Sequence, residues 1–331
     1  MALKIFSGSR YMKKPAKMKE DHHHVYHRRR PTCTVTAILT AIAYTLGVIT
    51  SPLVQSHDAT AKPAGPVTSP VTSLMVVQQQ QNQNSRQQTG DLTRFDAHCA
   101  EPVASKEVRK TIIDGLFNGT SPFDGFPPEH VKPFLRTKRV KGWGSTGTVF
   151  QRLINEVKPR IVVELGTFLG ASALHMATVA RDQGLKTQIL CIDDFRGWPG
   201  FRQKFKDVGL VNGDVTLLYQ FMQNVVYMNL TAAILPLPFS TVSMVRKLCE
   251  FGVYADLIEV DAAHDFLSAW ADINTAYAVL RHGGVMFGHD YHTKLDNSGV
   301  RRAVNLFAKV KGLTVECDGE HWILRPRGNS L

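Results

Sequence analysis

Apolar positions along the C-terminal half of the chain switch repeatedly between two periods. From Arg160 onward, short β-branched runs alternate with stretches whose apolar residues recur every three or four positions. Arg160–Leu165 (RIVVEL), Thr187–Asp193 (TQILCID), Ala232–Leu237, Ala255–Asp261 (ADLIEVD) and Val285–His289 read as strands. Between them Ala171–Gln183, Asp214–Met228, Ser240–Phe251 and Asp265–Leu280 carry helical spacing. In the last of these, Phe266, Ala269, Trp270, Ile273, Tyr277 and Leu280 form one face. Val300–Val310 reads as a further helix. Leu313–Cys317 and Trp322–Leu324 flank Asp318-Gly319 as a hairpin. This alternation predicts an α/β fold: a doubly wound, mostly parallel seven-stranded sheet with an antiparallel C-terminal hairpin. Ligands of such sheets bind beyond the carboxyl ends of the strands, so chemistry is sought there.

The N-terminal third follows another pattern. No charge occurs between Arg30 and Asp58, and Thr32–Val54 is apolar enough and long enough to cross ~30 Å of hydrocarbon as a helix. Arg28, Arg29 and Arg30 abut its start. Positive charge stays on the cytoplasmic side, which predicts a type II signal anchor with a lumenal body. Residues 55–93, with Pro63, Pro66, Pro70 and the run Gln78–Gln88, read as a disordered stem. The expected organisation is a basic tail over 1–31, an anchor over 32–54, the stem over 55–93, a cap over 94–140 and a catalytic domain over 141–331. A signal anchor followed by a polar stem is the layout of glycan-modifying enzymes of the secretory pathway, which points to the Golgi. Asn118-Gly119-Thr120 and Asn229-Leu230-Thr231 are glycosylation acceptors in a lumenal body.

Charge supports this division. The net charge is +11, but residues 1–31 hold nine Lys/Arg against Glu20 and Asp21. The body is therefore close to neutral and carries no field that calls for nucleic acid. Cys33, Cys99, Cys191, Cys249 and Cys317 are far apart and form no CxxC pair, which speaks against zinc and against a disulfide framework. They read as small buried hydrophobes.

The first strand runs into Glu164-Leu165-Gly166-Thr167-Phe168-Leu169-Gly170-Ala171-Ser172. Gly166 permits a tight turn, and Gly170 lets the next helix start close to the sheet. Phe168 stands where a dinucleotide fingerprint needs its second glycine, which speaks against a pyrophosphate and for S-adenosylmethionine. Asp193 and Asp194, at the end of the second strand, stand where an acid meets ribose hydroxyls.

VVELGTFLGASA, CIDDFRG, LPFS, DLIEVDAAHDF and LRHGGVMFGHDYH follow in that order. Together they resemble the class I methyltransferase superfamily. The likeness is to the branch of bacterial sugar O-methyltransferases and cephalosporin-hydroxylase-like proteins, above all its membrane-anchored plant members. It spans residues 141–325. The resemblance implies a Rossmann-like methyltransferase fold. It implies that Glu164, Gly166, Thr167, Gly170 and Ser172 line the methionine part of the cofactor, that Asp193 holds the ribose and that Ser240 lies near the adenine.

A second constellation stands at the next strand ends: Asp261 and His264 after the fourth, His289 and Asp290 after the fifth. Metal-dependent O-methyltransferases resemble this arrangement. The resemblance makes Asp261, His289 and Asp290 ligands of a divalent metal, Mg²⁺ or Mn²⁺, and Asp261 and His264 the catalytic pair. His289 stands where that family places an acid. Such a metal lowers the pKa of a bound hydroxyl, and an imidazole takes its proton near neutral pH.

The expected function is therefore O-methylation of a hydroxylated small molecule or glycan. The competing readings are a nicotinamide oxidoreductase on a similar sheet and a membrane-tethered binding protein without catalysis. Two aromatic, basic stretches, Phe95–Trp143 and Phe195–Gly213, are expected to set the acceptor or to cover the site.

Overall fold

The computed structural model describes residues 99–326. The elements are α1 (Val108–Phe117), α2 (Thr148–Val157), β1 (Ile161–Leu165), α3 (Ala171–Asp182), β2 (Gln188–Ile192), α4 (Phe201–Lys204), β3 (Leu210–Val211), β4 (Asp214–Val215), α5 (Leu217–Tyr227), β5 (Ile234–Leu237), α6 (Thr241–Glu250), β6 (Ala255–Val260), α7 (Phe266–Tyr277), β7 (Leu280–Gly288), α8 (Gly299–Lys311), β8 (Leu313–Asp318) and β9 (His321–Pro326). Seven strands form one sheet in the order β5-β2-β1-β6-β7-β9-β8. The first five of these pair in parallel, while β9 runs antiparallel to both β7 and β8. The doubly wound sheet and its antiparallel C-terminal hairpin are as the periodicity predicts.

Strand alternation divides the interior into two layers. Ile161, Val163 and Leu165 of β1 face α1, α6, α7 and α8, where Ile112, Leu248, Ile273 and Phe307 meet them. Val162 faces the opposite layer with Phe150 and Leu153 of α2, Met176 of α3 and Phe221 of α5. Both faces are apolar because helices cover both, as in other parallel sheets. Glu164 is the exception on β1, and the register sets it between Cys191 of β2 and Glu259 of β6.

Several expectations change. The helix expected from Asp214 begins at Leu217, because Asn212 and Gly213 take φ of 50° and 85° and turn β3 back into β4. That Asn-Gly signal is a hairpin turn. The last parallel strand starts at Leu280, ahead of Gly283 and Gly284 rather than after them. Two helices, α1 and α2, precede β1 and were not predicted. Val108 and Ile112 of α1 belong to the core, and Arg109 donates to the carbonyl oxygens of Thr231 and Ile234.

The cysteine expectation is also corrected. Cys99 and Cys249 form a disulfide, while Cys191 is free and buried and Cys317 free and exposed. The two partners lie 150 residues apart in sequence. They meet because the start of the extension runs along the end of α6, where the Ala100 amide donates to the Cys249 carbonyl at 2.9 Å. Among the described residues no helix is long and apolar enough to cross a membrane; the expected anchor and stem lie outside those residues.

Candidate active site

The parallel strands end side by side, and their loops build the site. The Asp261 amide donates to Leu165 O at 2.8 Å and the His289 amide to Val260 O at 3.2 Å, so the sequence-separated acids and imidazoles converge. At the centre stands the turn from β1 into α3. Gly166 takes φ of 87°, and a Cβ there would lie 2.0 Å from Asp261 O. Only glycine allows the turn to lie this close to the end of β6.

Glu164 is fully buried. Its carboxylate accepts from Thr167 Oγ1 at 2.6 Å and Ser172 Oγ at 2.5 Å. Burial pushes it up to about 7, against those two donors. Asp193 Oδ2 accepts from the amides of Thr167 and Phe168, and Oδ1 from the Phe195 amide. Three of the residues expected to line the cofactor, Glu164, Thr167 and Ser172, thus knit the turn together from inside, and Asp193 clamps it from the next strand. Gly170 takes φ of 81°, and its Cβ position is filled by Phe221. Ser240 occupies the N-cap position of α6 without a capping bond and stays exposed, with its Oγ 2.6 Å from Ser243 Oγ. No side chain caps the N-terminus of α3. Its first amides therefore remain available to an anionic group.

Beside the turn, single ligand atoms of Asp261, His264 and Asp290 lie within 4.8 Å of one another. The expected ligand set paired Asp261 and Asp290 with His289; the geometry also brings in His264. His264 Nε2 is 2.9 Å from Asp290 Oδ2. His289 Nδ1 is 3.3 Å from the same oxygen and 3.9 Å from Asp261 Oδ1. That nitrogen is buried without a hydrogen-bond partner. The helix after β6 is capped by Asp265, whose Oδ1 accepts from the Ser268 amide, so Asp261 is not spent as a cap.

Charge within this group is strongly coupled. Burial raises Asp261 to about 6, with neighbouring Asp290 acting in the same direction and His289 opposing. Burial would raise Asp290 too, but the imidazoles of His264 and His289 outweigh it and hold the carboxyl far below its ordinary range. The Asp290 bond in turn raises His264. Asp290 adopts a left-handed φ of 61°, a conformation that costs energy for a residue with a side chain.

Some residues of the site were not anticipated. Glu259 sits beside Glu164, buried, with Oε2 unpartnered and its carboxyl raised well above the ordinary value by burial and by Glu164. An acid inside an otherwise apolar strand was its sequence signal. His321 of β9 stacks edge-on to His289 at 4.7 Å, and burial lowers it to about 4. Trp143 stands over the turn, 5.5 Å from Phe168.

Comparison with known proteins adds one match on the chain itself. Residues 163–291 match a family model described as a methyltransferase domain. The chain is similar in structure to an O-methyltransferase from Bacillus cereus in complex with SAH, at 17% identity, 66% of this chain, 95% of the other and a TM-score of 0.41. It is also similar to an O-methyltransferase from Streptomyces achromogenes, involved in tomaymycin synthesis and in complex with SAM. There the identity is 12%, over 69% of this chain and 92% of the other, with a TM-score of 0.40. No curated protein matches the sequence.

Proposed function

We propose that the protein transfers a methyl group from S-adenosylmethionine to a hydroxyl oxygen of a small molecule or glycan. The observation that carries this reading is the juxtaposition of two units: the turn Glu164–Gly170, clamped by Asp193, and the group Asp261, His264 and Asp290 at the next strand ends. The domain match over residues 163–291 supports it. The fit to the cofactor rests on the uncapped N-terminus of α3, which suits a carboxylate, and on the exposed acid Asp194 and exposed Ser240 at neighbouring strand ends. When bound, the cofactor supplies an electrophilic methyl group.

The chain's own residues prepare the oxygen that accepts it. His264 Nε2 faces Asp290 Oδ2 at 2.9 Å, which leaves Nδ1 as the nitrogen open to the acceptor. The Asp290 carboxylate stabilises the imidazolium that forms when Nδ1 takes the acceptor proton. Two carboxylates with an imidazole also fit a divalent cation of the Mg²⁺ or Mn²⁺ kind. Asp261, His264 and Asp290 would hold it, with the unpartnered His289 Nδ1 as a further donor. The cation would lower the pKa of the acceptor hydroxyl.

The proposed location is the secretory lumen, behind the anchor of residues 32–54. The Cys99–Cys249 disulfide supports it, since such bonds persist in oxidising compartments. The deciding experiment is titration calorimetry of the full chain with S-adenosylmethionine, followed by transfer of labelled methyl to a panel of glycans and phenols. Absence of binding at millimolar cofactor sinks the reading.

A further inference from the structure

Aromatic rings meet above the cofactor turn, and two of them stay in water. Trp143 lies 6.3 Å from Trp198 with the indoles inclined at 63°, and Phe168 of the turn lies 5.7 Å from Trp198. Buried Phe201 and Phe205 support them from below, at 5.4 Å from Trp198 and 5.0 Å from Phe168. Trp143 remains 48% exposed and Trp198 41%. Leaving two indoles in water forgoes burial of large apolar surfaces, which a ligand can recover.

The backbone fixes Trp143 in this position. A Cβ at Gly142 would lie 2.8 Å from Ala171 Cβ, and one at Gly144 would lie 2.5 Å from His289 Nε2. The backbone on either side of Trp143 therefore passes between the start of α3 and His289.

The surroundings are cationic. Lys141 Nζ lies 5.4 Å over the Trp143 ring. Lys141, Arg196, Lys204 and Lys206 are exposed. Among the described residues, Asp207 is taken up by Arg139 and Arg136, and the exposed acid Asp194 accepts from the Arg196 amide. A small ligand is normally enclosed over about 70–90% of its surface. Two open indoles enclose nothing of that kind, but they offer flat faces to a ring held within a longer chain.

We propose that Trp143 and Trp198 form the acceptor platform, and that its ligand is an anionic saccharide chain. One sugar ring would lie against the indoles, and its carboxylates would face Lys141 and the basic loop. The inference rests on the reading of the neighbouring site as a methyltransferase.

The test uses the full chain in detergent micelles and titration calorimetry with three probes: oligogalacturonate, neutral dextran and caffeate. Cofactor binding is measured in parallel, and a thermal melt checks folding of each variant. Oligogalacturonate is expected to bind, and W143A and W198A are each expected to weaken it about tenfold. K141Q is expected to weaken it less, and its effect to vanish at high salt. Cofactor affinity of the wild type is the control that separates this test from the methyltransferase reading. Equal binding of oligogalacturonate to folded W143A and W198A overturns the proposal. So does dextran or caffeate binding as tightly as oligogalacturonate. If the saccharide binds through both indoles but the wild type binds no cofactor, the ligand class stands and the methyltransferase reading falls.

Discussion

Asp193 Oδ2, at the end of β2, accepts the backbone amide of Phe168 at 2.8 Å, across the turn that opens the site. The same oxygen takes the Thr167 amide at 2.9 Å, so one carboxylate fixes two successive residues of the turn. Phe168 needs the restraint, because its φ is 52°. Charge-assisted bonds of this kind contribute roughly 1.5–3 kcal/mol each. Asp193→Asn should therefore lower stability by about 2 kcal/mol and weaken cofactor binding at least about tenfold. Chemical denaturation and calorimetry on the same variant check both.

Gly166→Ala should do more damage than a surface glycine change. The added methyl would sit 2.0 Å from Asp261 O at a φ of 87°, so either the turn or the end of β6 must move. A loss of roughly 3 kcal/mol is expected from strain and overpacking together. Gly184→Ala is the control, because nothing lies within 4 Å of that position although its φ is also positive. Equal melting temperatures for the two variants would refute the claim of close approach.

His264→Ala should reduce methyl transfer by about 10²-fold or more, with cofactor affinity nearly unchanged. Dialysis against a chelator separates the two roles of the group. Loss of transfer, restored by Mn²⁺ or Mg²⁺, assigns Asp261, His264 and Asp290 to a metal. Full activity after chelation assigns His264 to proton transfer alone.

Asp272 provides a pH-dependent stability test away from the site. It is 3% exposed on α7, accepts from Thr241 Oγ1 at 2.5 Å, and burial raises it from 3.8 to about 6. The folded state therefore prefers the neutral acid. Its penalty is absent below pH 3.8, grows as pH rises towards 6, and is complete above that. Asp272→Asn should be the more stable protein at pH 7 by up to roughly 3 kcal/mol, with the gap closing by about pH 4. Urea unfolding at the two pH values checks the sign.

The proposed lumenal location predicts two modifications. Full-length protein from eukaryotic cells should migrate with Cys99 and Cys249 joined, and Cys99→Ser should cost about 2–5 kcal/mol. Asn118 and Asn229 are both exposed, at the ends of α1 and α5. Peptide N-glycosidase should shift the band, and N118Q with N229Q should abolish the shift. A body cleaved by protease outside sealed microsomes shows the opposite topology.

Much of the site was legible because strand ends can be counted. Asp193, Asp261 and Asp290 follow the last apolar residue of three runs, and parallel order sets such ends together. Local signals failed where they competed. The Asn212-Gly213 turn lies inside an apparently helical stretch, and α2, whose Val149, Phe150, Leu153 and Ile154 are spaced as one buried face, starts at Gly147 without a capping side chain to mark it. The disulfide was not legible, since a separation of 150 residues carries no pairing information.

By itself the sequence determined the alternating sheet, its antiparallel end and the turn after Glu164, because these follow from side-chain period and from glycine's freedom in φ. The tertiary structure decided what each polar residue of the turn does. Glu164 and Asp193 both read as ligand-facing acids, yet one is enclosed by Thr167 and Ser172 and the other is held by backbone amides. His264 and His289 both read as candidate imidazoles, yet His264 stands 2.9 Å from Asp290 and is partly open, while His289 Nδ1 is buried and unpartnered. Such roles depend on distances between residues far apart in the chain, and no local pattern encodes those.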